Sequence, residues 1–198
     1  AQQAVRAALG MKEELKHFQK AGRKKNRPDI SVGIGINTGL MSVGNFGSRQ
    51  RFDYTVMGDN VNLGSRLEGA NKNYGTTILI SEAVREKIGT TFYCRYIDKV
   101  QVKGRKEPVN LYEPLYEGMP PEDVRAETDT FETGVQAYQN QSFDQALKIF
   151  TRLQDQFPCR LYQSYLDRIN GFIASPPPDG WRGTERREKL PATRLTIK

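Results

Sequence analysis

Residues 30–37 read Ile-Ser-Val-Gly-Ile-Gly-Ile-Asn. Strict alternation places Ile30, Val32, Ile34 and Ile36 on one side of an extended chain, the period of a half-buried strand. The other side carries Ser31, Gly33, Gly35 and Asn37 and is nearly bare. Glycines inside a strand weaken it and leave room for a close approach to the backbone. A bound group or a neighbouring element of the chain would fill that room. Such a strand needs an apolar cover on one face and a partner of small reach on the other.

The run Phe52–Leu67, FDYTVMGDNVNLGSRL, follows. Arg51–Val56 reads as a second strand, expected to form a hairpin with the first across a loop-like Thr38–Gln50. The glycines of that loop, Gly39, Gly44 and Gly47, do not by themselves make a phosphate cradle. Asp59 is a suitable N-cap for a helix from about Asn60 to Tyr74, with Leu63, Leu67 and Ala70 as its apolar stripe and Gly75 as its stop. Asn62 and Arg66 are four apart and share one helix face. Near a helix N-terminus, free N–H groups and the dipole favour an anion. An arginine there can hold a phosphate oxygen, and an asparagine one turn earlier a ring oxygen or hydroxyl. Two readings follow from the spacing. Either the pair seats a nucleotide, or Arg66 pairs with Glu68 or Asp59 while Asn62 caps the helix.

The rest of the chain completes an α+β pattern. An amphipathic helix with Val5, Ala8, Leu9, Leu15 and Phe18 on one side opens it and is already running at Ala1, so the chain reads as a fragment with something upstream. After the second helix come a short buried strand at Thr76–Ile80 and a small helix capped by Ser81. Strands are expected at about Thr91–Tyr96, Lys99–Lys103 and Val109–Tyr116. The expected divisions are a main domain over 1–117, a linker over 118–130, a helical hairpin over 131–174 and a Pro-rich basic tail over 175–198. Within the helical piece, Gly134, Ala146, Phe150 and Pro158 resemble the spacing of one tetratricopeptide repeat, with a mismatch at Ala137 and Tyr138. One such hairpin cannot bury its face alone and must pack on the main domain or a partner.

The net charge is +7 and the sequence pI about 9.4. It comes in two blocks, Lys20–Arg27 and Arg182–Lys198, read as solvated charge more readily than as a nucleic-acid surface. No apolar run approaches the roughly 20 residues that span a bilayer. Cys94 and Cys159 have no CxxC spacing and fit free thiols in a reducing cytoplasm. His17, the sole histidine, lies in a helical pattern and reads as a surface residue.

The motifs ISVGIGINTG, GNFGS, RFDYTVMGDNVNLGSRLEGANK, TTILISEAV and KVQVKGRKEPVNLYEPL together resemble the class III nucleotidyl cyclases, the adenylate and guanylate cyclase family. The resemblance covers roughly Ala1–Tyr116, and the YTVMGDNVNLGSRLE run is its most specific part. It implies a ferredoxin-like cyclase sheet with packed helices, its N-terminal part missing here, and conversion of a nucleoside triphosphate to a 3′,5′-cyclic monophosphate and pyrophosphate. By position, Asn62 matches the residue that orients the ribose and Arg66 the arginine that stabilises charge on the reacting phosphate. Thr55 matches the purine-reading position, where threonine is similar to adenylate cyclases, so ATP is the expected substrate. Lys103 looks like the lysine that binds the terminal phosphates.

Family members use two Mg or Mn ions held by two aspartates, which lie upstream of the first helix here. Asp53 and Asp59 read as a strand residue and a helix cap, not as substitutes. Family sites form across a homodimer, so the chain is expected to hold one half of each site. The C-terminal helices and Trp-containing tail are similar to the ends of bacterial members with membrane or sensor regions at the N-terminus and the catalytic region in the cytoplasm. A guanylate cyclase, or a cyclase-homology module without activity, remains the alternative.

Overall fold

In the computed structural model, which describes residues 1–25, 27–28, 30–48, 52–101, 107–178, 180–181 and 183–186, one five-stranded sheet organises the chain. Its strands are β1 (Ile34–Ile36), β4 (Ile78–Ser81), β5 (Phe92–Gln101), β6 (Val109–Glu117) and β7 (Glu185–Arg186), in the order β1-β4-β6-β5-β7. β1 pairs in parallel with β4, β4 and β5 pair antiparallel with β6, and β7 adds in parallel to β5. A separate two-stranded hairpin, β2 (Ser42–Gly47) with β3 (Phe52–Met57), stands beside it.

The period-2 rule builds two cores from one sheet. Ile78 and Ile80 of β4 face α1 (Gln2–Arg23) and α3 (Glu82–Ile88), where they pack with Val5, Ala8, Val84, Ile88 and Phe92. Leu79 points the other way, with Ile97 and Leu111, into a larger core under α2 (Asp59–Tyr74). That core continues without a break into α4 (Glu122–Gln139), α5 (Phe143–Gln156) and α6 (Arg160–Ala174), whose Phe131, Phe150, Tyr162 and Tyr165 are fully buried. Phe150 stacks on Tyr165 with centroids 4.6 Å apart. The helical piece therefore covers the sheet's second face, as its unpaired apolar stripe required.

Several expectations are corrected. The first strand does not form a hairpin with Arg51–Val56. β1 is three residues long and joins β4, and the partner of β3 is β2, within the stretch expected as a loop. Glycines at 44 and 47 hide the alternation of β2 from a reading based on side chains alone. The helix cap falls on Gly58, not Asp59. Gly58 has φ 144° and ψ 164°, which a side chain would not tolerate, and Asp59 becomes the first helical residue. There its carboxylate still complements the helix N-terminus. The expected strands at 91–96 and 99–103 are, over the described residues, one strand, β5 (Phe92–Gln101), with register shifts at Tyr93/Cys94 and Tyr96/Asp98; residues 102 and 103 lie outside the described residues. The expected hairpin over 131–174 is three helices, and α4 begins at Glu122, inside the expected linker. Gln141, at φ 61°, turns the chain between α4 and α5. Gly75 ends α2 as expected, in the left-handed conformation at φ 69°. Among the described residues, no helix is long and apolar enough to cross a membrane.

Candidate functional site

The bare face of β1 is filled by α2. A Cβ on Gly33 would lie 2.9 Å from the Glu68 carbonyl oxygen, and one on Gly35 would lie 2.3 Å from both the Glu68 nitrogen and the Gly64 carbonyl oxygen. Backbone rides directly on backbone there, which no residue with a side chain permits. Asn71, 2% exposed, locks the contact. Its side-chain amide donates to the carbonyls of Ile34, Leu67 and Glu68, at 3.1, 3.2 and 3.1 Å. Its oxygen accepts from the Thr76 hydroxyl at 2.8 Å. A buried polar side chain with its bonds satisfied is stabilising, and here it ties helix to strand.

A second asparagine network fixes the start of α2. Asn37, just past β1, donates to the Asn60 carbonyl at 2.8 Å and accepts from the Ser81 hydroxyl at 2.6 Å. Asn60 donates to the Leu40 carbonyl at 2.9 Å. Sequence reasoning passed over Asn60 and Asn71 and read Asn37 only as a strand end. The available signal was polar Asn71 directly after Ala70 and four residues past Leu67, inside the apolar stripe.

On the helix so held, Asn62 is exposed and Arg66 half-buried, one turn apart on the same face. Among the described residues neither side chain has an ion pair or a hydrogen bond; the ion pairs found join other partners. The alternative reading, Arg66 paired with Glu68 or Asp59, is therefore not what the structure shows. Thr55 is exposed on β3, opposite Gly44, in the strand that leads into α2. Lys103 lies outside the described residues. A polar cavity of about 670 Å³ beside the first turn of α2 is lined by Asn37, Asp59, Asn60, Ser81 and Glu82 among others, and not by Asn62 or Arg66.

Asp53 and Asp59 are exposed, one on β3 and one at the helix start. Among the described residues, no group of three His, Cys, Asp or Glu side chains is placed to hold a metal ion. The donor set present does not fit the two-metal centre that the sequence resemblance implies. Both thiols are free and half-buried. Burial pushes Cys94 up to about 11 and moves Cys159 in the same direction, so both are protonated, weak nucleophiles at neutral pH.

Residues 1–113 match the family described as the adenylate and guanylate cyclase catalytic domain. Adenylate cyclase 1 of Rhizobium meliloti is 41% identical over 113 residues, 57% of this chain and 17% of that protein. The adenylate cyclase of Anabaena cylindrica is 43% identical over 117 residues, 56% of this chain and 23% of its own length. The chain thus spans less than a quarter of these curated relatives. Among solved structures, the adenylyl cyclase CyaB from P. aeruginosa is similar at 34% identity and TM-score 0.48, over 55% of each chain. The guanylyl cyclase Cya2 is similar at 34% identity and TM-score 0.47, over 60% of this chain and 61% of that one. With the matched region running from α1 into β6 and enclosing the Asn62–Arg66 helix, the chain belongs to the class III adenylate and guanylate cyclase catalytic-domain family.

Proposed function

We propose that this chain supplies the base-side and phosphate-side half of an adenylate cyclase site, which converts ATP to 3′,5′-cyclic AMP and pyrophosphate. The observation that carries the reading is the pairing of Asn62 and Arg66 on one face of a helix whose backbone is pinned to β1. Neither side chain is used by the described fold, so both are available to a ligand at a fixed separation.

In this reading the ribose 3′-oxygen bonds to the α-phosphorus and loses its proton, while the bond from that phosphorus to the bridging oxygen of pyrophosphate breaks. Asn62 hydrogen-bonds the ribose and aims the 3′-oxygen. Arg66 spreads its fixed positive charge against the non-bridging α-phosphate oxygens as negative charge grows there. Thr55 accepts from the adenine amino group. Lys103 neutralises the terminal phosphates. With little covalent chemistry for the protein to do, positioning and charge supply most of the rate. Metal ligands upstream of α1 are what the resemblance implies; among the described residues no group of three His, Cys, Asp or Glu side chains is placed to hold a metal ion.

A homodimer with the site across its interface completes the proposal. The β2–β3 hairpin supports it by exposing an apolar face: Val43 is 55% exposed, Tyr54 76% and Val56 40%. The ladder places these three on one side of the hairpin. Such a patch marks an interaction surface more often than plain solvent.

The test is turnover of ATP and GTP by the catalytic domain with both metal-binding aspartates included. Faster production of cyclic AMP is expected. Faster production of cyclic GMP would show that Thr55 does not select adenine.

A further inference from the structure

Thr55 sits on the β2–β3 hairpin, which among the described residues pairs with no strand of the five-stranded sheet. A two-stranded hairpin on its own is marginal in water, so what holds its base decides where Thr55 lies. β3 runs into α2 through Gly58. That glycine sits at φ 144°, and a Cβ on it would lie 3.6 Å from the Met41 Cα at the entry to β2. A single covalent link of this kind is a hinge. Asn60 supplies a second link. Its side-chain amide donates at 2.9 Å to the carbonyl of Leu40, just before β2 begins at Ser42. The turn is shaped around that amide: a Cβ on Gly39 would lie 2.3 Å from Asn60 Nδ2 and 2.4 Å from its Cγ.

Asn60 is itself held from behind. Its backbone carbonyl accepts from Asn37 Nδ2 at 2.8 Å. β1 and β4 pair Ile36 with Ile80, which brings the next residues, Asn37 and Ser81, side by side. The buried Ser81 hydroxyl donates to Asn37 Oδ1 at 2.6 Å. The Asn37 oxygen is thereby spoken for, and its nitrogen faces α2. The chain Ser81–Asn37–Asn60–Leu40 runs from the sheet, through the first turn of α2, to the base of the hairpin. Asn62 follows Asn60 on that same helix. The base-reading and ribose-orienting residues are therefore both referenced to one asparagine.

We propose that Asn60 is a positioning residue that sets the reach between Thr55 on the hairpin and Asn62 on the helix, and so sharpens the choice of purine. It acts through the Leu40 carbonyl and the backbone of α2. Without its amide the hairpin keeps the Gly58 link and pivots about it, and a misplacement of about 1 Å is enough to cost up to ~10²-fold in rate. The inference rests on the reading of Thr55 and Asn62 given above. Its consequence differs from a loss of fold. Unfolding a share of the molecules lowers turnover of ATP and GTP alike, whereas a displaced hairpin changes their ratio.

The test uses the full-length protein and measures kcat/KM for ATP and for GTP. The unmodified protein is expected to favour ATP, and Thr55→Ala to narrow that preference about tenfold, the scale of one hydrogen bond. Asn60→Ala should lower kcat for ATP, narrow the preference by a similar factor, and narrow it no further when added to Thr55→Ala. Asn60→Asp keeps the size of the side chain, cannot donate to Leu40, and places a charge that the helix N-terminus favours. It should therefore stay folded and narrow the preference as well. Gly39→Ala, which displaces the amide by a clash, should copy Asn60→Ala. If Thr55→Ala narrows the preference and any of these three variants leaves it intact, the positioning inference alone is overturned. An equal fall with both substrates in Asn60→Ala makes Asn60 merely structural and also overturns it, as does an additive double variant. If Thr55→Ala leaves the preference unchanged, or the unmodified protein does not favour ATP, the reading of Thr55 falls and the inference with it.

Discussion

A Cβ on Gly35 would lie 2.3 Å from the carbonyl oxygen of Gly64, so strand β1 and helix α2 meet with no side chain between them. This contact sets how close the Asn62–Arg66 face lies to the sheet, and it cannot relax by moving a flexible side chain because both atoms are backbone.

Gly35→Ala should therefore displace α2 or unfold the contact. The expected loss of stability is about 1–3 kcal/mol, the range for overpacking a tight interior. Gly171→Ala, in α6 with nothing within 4 Å of the added methyl, is the control. It should be neutral or stabilising by up to ~1 kcal/mol, since alanine is the better helix former. Urea midpoints of the two variants check this. Equal stability of Gly35→Ala and the unmodified chain would mean that β1 and α2 do not pack as closely as described.

Arg66→Ala should lower kcat by about 10²–10³ in the catalytic domain with both metal-binding aspartates, with a smaller change in KM. The charge it provides is needed most when the α-phosphate is being attacked. Asn62→Ala should act in the same direction, and the double variant should lose less than the sum, because both side chains serve one geometry. Steady-state kinetics of the three variants decide it. An unchanged kcat for Arg66→Ala would remove the residue from the site.

How much of this was legible beforehand varies by element. α2 was readable because its stripe, its stop at Gly75 and its polar face are all local signals. The α+β character of the chain, helices against a sheet, was readable from the order of elements. The partner of β3 was not, because strand pairing is a long-range choice and Gly44 and Gly47 blank the alternation of β2. The glycine face of β1 announced a close neighbour without saying which, and the answer, the backbone of Gly64 and Glu68, lies some thirty residues on. Asn71 and Asn60 were passed over because an asparagine in a helix, whether buried like Asn71 or partly buried like Asn60, looks like an exposed one until the fold supplies carbonyls for it to bond. Trp181 was read as part of an unstructured tail because its socket of Tyr138, Phe143 and Phe172 exists only after three helices have packed.

Asp98, 1% exposed, joins α2, β5 and α6. Its Oδ2 accepts from the Tyr74 hydroxyl at 2.6 Å and from Arg168 at 2.8 Å, while Oδ1 accepts from the Lys99 N–H at 2.8 Å. Removing one member of a buried pair leaves the other charge uncompensated, which costs on the order of 3–5 kcal/mol. Arg168→Met should show a loss of that size in chemical denaturation. Adding Asp98→Asn should recover part of it, because the stranded charge is gone. A double variant no more stable than Arg168→Met would show that the carboxylate is not the source of the loss.

Glu113 gives the acid limit of the fold. Its side chain is 5% exposed, bonded to Arg95 at 2.7 Å and to Lys12 at 3.2 Å. Burial pushes its carboxyl up, but the charges and hydrogen bonds of Arg95 and Lys12 prevail and hold it below the usual glutamate range. A carboxyl depressed in the folded state binds its proton more tightly when unfolded, so the unfolded chain carries the extra proton. The stabilisation is complete well above the ordinary glutamate value of about 4.3 and fades as the pH falls through and below it. The difference in stability between the unmodified chain and Glu113→Gln isolates this group from other carboxylates. It should be about 1.5–3 kcal/mol at pH 7, the scale of hydrogen bonds to charged partners, and shrink steadily between about pH 5 and pH 3. Urea unfolding of both proteins across that range measures it. A difference that stays constant, or grows as the pH falls, would mean that Arg95 and Lys12 do not hold Glu113 ionised in the folded state.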